Sequence, residues 1–506
     1  MKFPRSSPLS QWFARVSPGL LALSPAQNAL AAVSLPPAAN SAHRNEPRGT
    51  FGFAYDGVLG TSLDAKVVAP TDRDAREGER RMLAEIDRLE KILSPRDPSS
   101  ELNRVRAGAS IESAELAEVL AAYELWSVRT HGALHANLAE VSTLWRESAR
   151  TGREPDATSL ATAFGTPRAF AIEALGKAYI VDRAANAARP VASAGLLNVG
   201  GDIRAWGDRS WMIGVANPFD PADNAPALAH FPLRDAAVAT SGGYARNFSV
   251  GDRRFSHLID PRTLRPLSVA RAATVVAADC VSANALSTAL CVLDADAGVP
   301  MARTFALDFL RVGSAGDFGS SRGIGAVAAP APAKFAGDIG AIPTAVTTSG
   351  MWPADFQVTV GINLKAANGQ DQGRGRRVKR PYVAVWVEDA EHQVVRTVTV
   401  WGNEGRYVPD LTKWWRAIGG DRGSASAVTR ATRSPGAYSV TWDGRDSRGE
   451  PVAQGDYTIF VEINREHGHH VWESATVTCG RDANSAELRD TPESDVGPIT
   501  YGPRNG

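Results

Sequence analysis

His257-Leu258-Ile259-Asp260-Pro261-Arg262-Thr263-Leu264-Arg265-Pro266 is the stretch on which the reading of this 506-residue chain turns. Asp260-Pro261 starts a turn, because an aspartate side chain bonds the backbone two residues on and proline presets φ. A histidine just ahead of it, titrating near neutrality, can take a proton from a hydroxyl. Alone, the same residues read equally well as a strand-end histidine and a tight turn. Three other segments add to them: Leu59-Gly60-Thr61 before a strand, Ala174-Leu175-Gly176-Lys177-Ala178-Tyr179 with Asp182 and Asn198-Val199-Gly200-Gly201-Asp202 beyond it, and Asn284-Ala285-Leu286-Ser287-Thr288-Ala289. Thr240-Ser241-Gly242 leads into the histidine run itself. Glycines allow close backbone approach, and lysine or arginine neutralises a diphosphate. Each segment also has a plain alternative: a turn at Gly200-Gly201, a solvated Lys177, hydroxyls of Ser287 and Thr288 bonding back to helix carbonyls. Composition and spacing therefore stop at a site for an anionic ligand.

Outward from these segments the first half is mixed α and β. A strand-like segment runs from near Leu59 to Val67-Val68. Met82, Leu83, Ile86, Leu89 and Leu93 recur at three- and four-residue intervals, which predicts a helix with one apolar face. Leu116, Val119, Leu120 and Tyr123 predict a second helix, stopping near Gly132. Leu196 to Val199 and Trp211 to Val215 read as strands, and Ala283 to Leu293 as a third helix with Ser282 as its N-cap. Between 319 and 350 the chain turns rich in Ala, Pro, Gly and Thr, which predicts a linker. Beyond it the period changes to two: Phe356, Val358 and Val360; Val383, Val385 and Val387; Tyr457, Ile459 and Val461. Residues 351–480 therefore read as an all-β sandwich with one short helix around Lys413-Trp414-Trp415. Residues 481–506 read as a mobile tail.

The 55 basic and 55 acidic residues cancel, which removes the electrostatic argument for a nucleic-acid or anionic-membrane partner. Cys280, Cys291 and Cys479 are too few for a disulfide-dense scaffold or a cysteine-rich metal site, and free buried thiols are expected. No stretch supplies the roughly 20 apolar residues of a membrane span. Lys2, Arg5 and Arg15 precede a mildly apolar run from Val16, and Ala29-Leu30-Ala31 has the small-x-small pattern of a cleavage site. Residues 1–31 are thus expected to be a signal peptide, interrupted by Pro18 and Pro25, with an unstructured lead-in over 32–50.

Taken in order, the segments resemble the FAD:protein FMN transferase family, also called ApbE, over residues 51–318. The strongest match is His257 to Pro266, which looks like the family's H-x-I-D-P-x-T-G-x-P. The resemblance implies an exported bacterial, periplasmic enzyme of α+β fold that uses FAD as substrate and Mg²⁺ as cofactor. It implies transfer of FMN to a Thr or Ser of a partner flavoprotein, with AMP leaving. By resemblance Leu59, Gly60 and Thr61 take the place of a flavin-contacting Met-Gly-Thr, Lys177 and Ser241 hold FAD, and His257 is the base beside the diphosphate. The Ala174 carbonyl, Asn284 and Thr288 fall at the metal.

Departures from the family pattern frame a second expectation. Asn284 stands where the motif A-D-A-L-x-T-A has its metal carboxylate, and Asp279 is the nearby acid that could compensate. Gly132-Ala133-Leu134-His135 replaces Gly-x-Phe-Asp, Arg96 lies near a usual aromatic flavin contact, and Leu264 replaces a glycine. An FAD-binding pseudoenzyme with lost or weak turnover is the alternative these imply. The second half resembles a periplasmic module often fused to such transferases. Its Trp442-Asp443-Gly444-Arg445-Asp446-Ser447-Arg448-Gly449 looks like a hairpin of Ig-like sandwiches, with Trp442 in the core, and His467, His469 and His470 read as a polar tip.

Overall fold

The computed structural model describes residues 49–504 except 219–221, 223, 226, 244–246, 269–270, 314–317, 322–323, 325–351, 354, 367–379, 403–407, 421–428, 431 and 466–467. The expected signal peptide and most of the lead-in and linker lie outside the described residues.

The chain opens with a hairpin, β1 (Gly49–Val58) and β2 (Thr61–Ala69). Six helices follow: α1 (Asp72–Leu93), α2 (Glu101–Arg106), α3 (Ala114–Arg129), α4 (Ala139–Thr151), α5 (Ala157–Gly165) and α6 (Glu173–Ala188). Helix α1 starts where Thr71 accepts from the Asp74 amide, and buries Met82, Ile86, Leu89 and Leu93. Burying one such side chain contributes about 1.5–3 kcal/mol, so this single face anchors the helix layer to the sheet. The chain then runs through β3 (Ala194–Val199), β4 (Asp202–Trp206), β5 (Trp211–Val215), β6 (Ala229–Leu233), β7 (Ala237–Gly242), β8 (Asn247–Val250), β9 (Arg253–Ser256), β10 (Ile259–Asp260), β11 (Arg265–Pro266) and β12 (Ala272–Ala277). Helices α7 (Cys280–Val292) and α8 (Ala295–Phe305) and strands β13 (Asp308–Val312) and β14 (Phe318–Ser320) complete this half.

Eight strands form one antiparallel sheet in the order β1-β2-β3-β4-β7-β12-β13-β14. Helices α1, α6 and α7 pack on one face, and the β5–β6 hairpin covers the other. Strand β12 shows why its sequence is apolar throughout: Ala273, Val275 and Ala277 enter the helix-side core while Ala272 and Val276 enter the other.

The second half has β15 (Phe356–Leu364), β16 (Tyr382–Glu388), β17 (Val394–Trp401), α9 (Thr412–Ala417), β18 (Thr429–Arg430), β19 (Gly436–Trp442), β20 (Gly455–Asn464), β21 (His470–Cys479), β22 (Asn484–Ala486) and β23 (Ser494–Pro503). Sheets β19-β15-β23-β22 and β18-β17-β16-β20-β21 face each other across a core that includes Val358, Val385, Trp442, Val461 and Tyr501. The fold is thus a mixed α/β half followed by an all-β half. Trp442 is 2% exposed, and Gly444 and Gly449 take positive φ in the turn after it.

Four expectations are corrected. Helix α7 begins at Cys280 rather than Ala283, and Asp279, not Ser282, is its N-cap, accepting the Ser282 amide at 2.7 Å. The 319–350 segment is not linker from its first residue: Phe318–Ser320 pairs with β13, and Ile324 is buried. The 481–506 segment is not a loose tail, since β23 lies between β15 and β22 and buries Ile499 and Tyr501. Its alternation is masked by Gly497 and Pro498, and the pairing with β15 is irregular there, between Val360 and Ile362. Likewise Gly49 and Thr50, placed in the lead-in, already pair with Ala69 and Val68. All three cysteines are free and buried.

Candidate functional site

Two tight turns stand side by side at one end of the eight-stranded sheet. Leu59-Gly60 closes β1–β2 with φ of 51° and 74°, and Gly200-Gly201 closes β3–β4 with φ of 55° and 91°. Two-residue hairpins favour such doubly left-handed turns because their twist matches the strands. A leucine at the first position carries backbone strain, which persists only where the surroundings hold it. The Gly200 amide donates to Ser62 O at 3.0 Å, and a Cβ on Gly200 would lie 2.6 Å from Thr61. A Cβ on Gly60 would displace the Arg96 guanidinium, so Arg96 lies over the first turn.

From Thr61 and Gly200 the contacts run on through helix side chains. Lys177, half-buried on α6, donates to Gly200 O at 2.9 Å and pairs with Asp202 Oδ2 at 3.1 Å. Asp202 is 2% exposed. Its Oδ1 accepts from Asn284 Nδ2 at 2.9 Å. A carboxylate only accepts, so this bond fixes the Asn284 amide and leaves its Oδ1 buried without a hydrogen-bond partner. Burial raises the Asp202 carboxyl above its usual range, and Lys177 and Asn284 pull it partly back. One turn further along α7, Ser241 Oγ lies 2.9 Å from Ser287 Oγ and 3.2 Å from Thr288 Oγ1. Gly60, Thr61, Lys177, Ser241, Asn284 and Thr288 are thereby joined through contacts that pass by Gly200, Asp202 and α7. Ala174 is the second residue of α6, one turn before Lys177.

His257 comes from a different segment of the chain. It is exposed, just after β9, on an excursion that leaves the sheet directly after Ser241-Gly242 and is closed by Gly243 N donating to Arg271 O at 2.8 Å. The excursion therefore departs from the site end of β7. Asp260 turns the chain there: its carboxylate takes the Arg262 amide and both arms of the Arg262 guanidinium at 2.8–2.9 Å. Leu264, in the place of the family's glycine, has φ of 60°, and its carbonyl accepts from Trp145 Nε1 at 2.9 Å. His135 lies 4.9 Å from the Phe164 ring, and burial lowers its pKa, so it is neutral at pH 7.

The sequence reading names Asp202 only as the end of its Gly-Gly-Asp segment and gives it no role; its one signal is its place after two glycines. Asp279 is the N-cap of α7. Asp182, from α6, accepts the Cys280 amide at 2.9–3.0 Å and the Val281 amide at 3.3 Å, yet burial pushes it up to about 6. Its pKa is higher folded than unfolded, so the folded state holds the extra proton and stability falls as pH rises from about 4 through 6. Relative to Asp182→Asn, the parent should lose on the order of 2–3 kcal/mol across that window. Urea titrations of both proteins at pH 4, 5, 6 and 7 check this; parallel profiles would contradict it.

A divalent cation is implied here by resemblance. The residues fit one of the magnesium type: Asn284 Oδ1 is a buried, unpartnered oxygen and Thr288 offers a hydroxyl one turn away. An amide oxygen and a hydroxyl make an oxygen-only donor set without charge of its own; among the described residues no cluster of three or more His, Cys, Asp or Glu forms. In the second half, His470 Nε2 lies 2.6 Å from Glu462, whose carboxylate also takes the Lys413 and Trp414 amides; His467 lies outside the described residues. No described helix is long and apolar enough to cross a membrane.

Residues 59–310 match the ApbE family, and residues 366–497 match a family described as a predicted periplasmic protein, DUF2271. An FAD:protein FMN transferase of Rhodobacter capsulatus is 38% identical over 101 residues, 19% of this chain and 18% of that protein. One from Haemophilus influenzae is 26% identical over 274 residues, 47% of this chain and 78% of that protein. The crystal structure of the ApbE protein from Thermotoga maritima matches with 24% identity and a TM-score of 0.47, covering 54% of this chain and 97% of that one.

Proposed function

Since the N-terminal half of the chain belongs to the ApbE family, we propose that this protein transfers FMN from FAD to a Thr or Ser hydroxyl of an exported flavoprotein and releases AMP. The observation that carries the reading is the run of contacts from Thr61 through Gly200, Lys177 and Asp202 to Asn284. Such a site must align a hydroxyl, neutralise a diphosphate and remove one proton. Lys177 supplies the fixed positive charge, held in place by Gly200 O and Asp202. The Leu59-Gly60-Thr61 turn offers backbone and a hydroxyl to the isoalloxazine, and Ser241 a hydroxyl beside α7. Mg²⁺, when bound at Asn284, Thr288 and the Ala174 carbonyl, would neutralise further diphosphate charge. The acceptor oxygen forms a bond to the FMN phosphorus, the bond from that phosphorus to the AMP phosphate breaks, and His257 takes the hydroxyl proton.

One observation favours a second reading. Asn284 brings no charge, and its amide is committed to Asp202, so a protein that holds FAD without turnover is the rival. Incubating purified protein with FAD, Mg²⁺ and an acceptor domain separates the two. AMP and covalent flavin in equal amounts support transfer; bound FAD without AMP supports the rival. Residues 1–31 are read as a signal peptide that delivers the protein to the periplasm.

Asn284→Asp is expected to set a second carboxylate against buried Asp202. Without metal the variant should be less stable than the parent, because two buried carboxylates cannot both ionise there at low cost. Millimolar Mg²⁺ should restore it, by about 2.7 kcal/mol at a hundredfold excess over Kd. Thermal melts with and without Mg²⁺ read this directly. An unchanged metal response would remove position 284 from the metal site.

A further inference from the structure

The β1–β2 hairpin that presents Leu59-Gly60-Thr61 begins with an edge strand of its sheet, and its register breaks between Tyr55 and Val58. A guanidinium from the other half of the chain fills that break. Arg380, just before β16, is 3% exposed. Its Nε donates to Asp56 Oδ1 at 2.7 Å, and its Nη1 to the Asp64 carboxylate at 3.1–3.2 Å and to Thr432 O at 3.0 Å. Its Nη2 donates to Tyr55 O at 2.7 Å and Leu63 O at 3.0 Å. Tyr55 and Leu63 face each other across the hairpin, so one planar group ties both strands together just behind the tip. Ser434 Oγ adds a bond to Asp56 Oδ1 at 2.6 Å. A second seam holds the same two halves: the Asn224 amide donates to Thr441 O at 2.6 Å and accepts its amide at 3.0 Å.

We infer that Arg380 is a positioning residue for the proposed FAD site, and that the β-sandwich acts as a clasp on the flavin-contacting turn. The inference rests on the proposed function for its ligand, and on geometry alone for the clasp. A turn with leucine in the left-handed region needs its flanks held. Arg380 holds them with donors in a rigid plane, which a lysine cannot reproduce. Bond donation to carbonyls of both strands, and not to side chains only, is what distinguishes this from an ordinary interdomain ion pair.

The test compares the parent with Arg380→Met, Arg380→Lys and the triple variant Arg380→Met/Asp56→Asn/Asp64→Asn, which removes the guanidinium together with both carboxylates it pairs with. Hydrogen exchange of peptides spanning 56–64, without FAD, reads the clasp. FAD affinity by flavin fluorescence reads its consequence. Folded Arg380→Met and the triple variant should both exchange faster at 56–64 and bind FAD about 10-fold more weakly or worse, with Arg380→Lys between them and the parent. If the triple variant folds with parental exchange and parental FAD affinity, Arg380 is a structural residue only and the inference is overturned. Faster exchange in the variants of a parent that binds FAD but releases no AMP would sink the transfer reading and leave the clasp standing.

Discussion

Alanine at position 257 is expected to slow flavin transfer by about 10²–10⁴-fold, the range for loss of a positioned proton acceptor, while FAD affinity stays at the parental level. His257 is exposed and lies on the excursion between Gly243 and Arg271. Surface substitutions outside caps and cores usually change stability by less than about 0.5 kcal/mol. A fold defect would therefore not masquerade as a catalytic one. The diphosphate contacts assigned to Lys177 do not involve the imidazole, so binding and turnover should separate. AMP release under saturating FAD, beside an FAD titration of the same preparation, measures both. Full activity in the variant would remove His257 as the base; loss of binding together with turnover would make it a ligand contact.

Lys177→Met should have the largest effect on stability. It strands the Asp202 carboxylate, which is 2% exposed and keeps only the Asn284 amide. Breaking a buried pair from one side costs about 3–5 kcal/mol. Burial already raises Asp202 in the parent, and losing the lysine raises it further. The folded pKa then lies well above the unfolded one, so the defect should be full at neutral pH and shrink as pH falls and the carboxyl protonates. Adding Asp202→Asn should restore most of the stability at pH 7 and none of the FAD affinity, since the diphosphate's fixed cation is still missing. Urea unfolding at pH 7 and pH 5 reads the first effect, and a flavin titration of the double variant reads the second. A single variant as stable as the parent would show that the pair is not a coupled unit.

Local pattern made the layers of this protein legible before any coordinates. The spacing of Met82, Ile86, Leu89 and Leu93 names the face of α1 that is buried, and the alternation at Val383, Val385 and Val387 names the inner face of β16. It was the family resemblance of the glycine and hydroxyl segments that grouped Thr61, Lys177, Ser241 and Asn284, which composition and spacing alone could not do. What escaped has no local signature. Asp202 looks like any acid after a turn until α6 and α7 close over it. Arg380 is one arginine in a basic stretch, and its partners on the β1–β2 hairpin are 316 to 325 residues away in the chain. Cys280 starts α7 early because Asp182 and Asp279, from two places in the sequence, both take its first-turn amides. Strand β23 hides because glycine and proline interrupt its alternation where it crosses an irregular partner.

That strand also sets an order of events. It is the last strand of the sandwich in the chain, yet it lies between β15, the first, and β22. During synthesis β15 has emerged well over a hundred residues before the partner that completes it, and until then it offers an open edge to any other strand nearby. Closure of the sandwich is consequently a late, long-range event of the kind that slows folding. Because Arg380 reaches the hairpin from this same half, the hairpin's grip is among the last things the nascent polypeptide acquires.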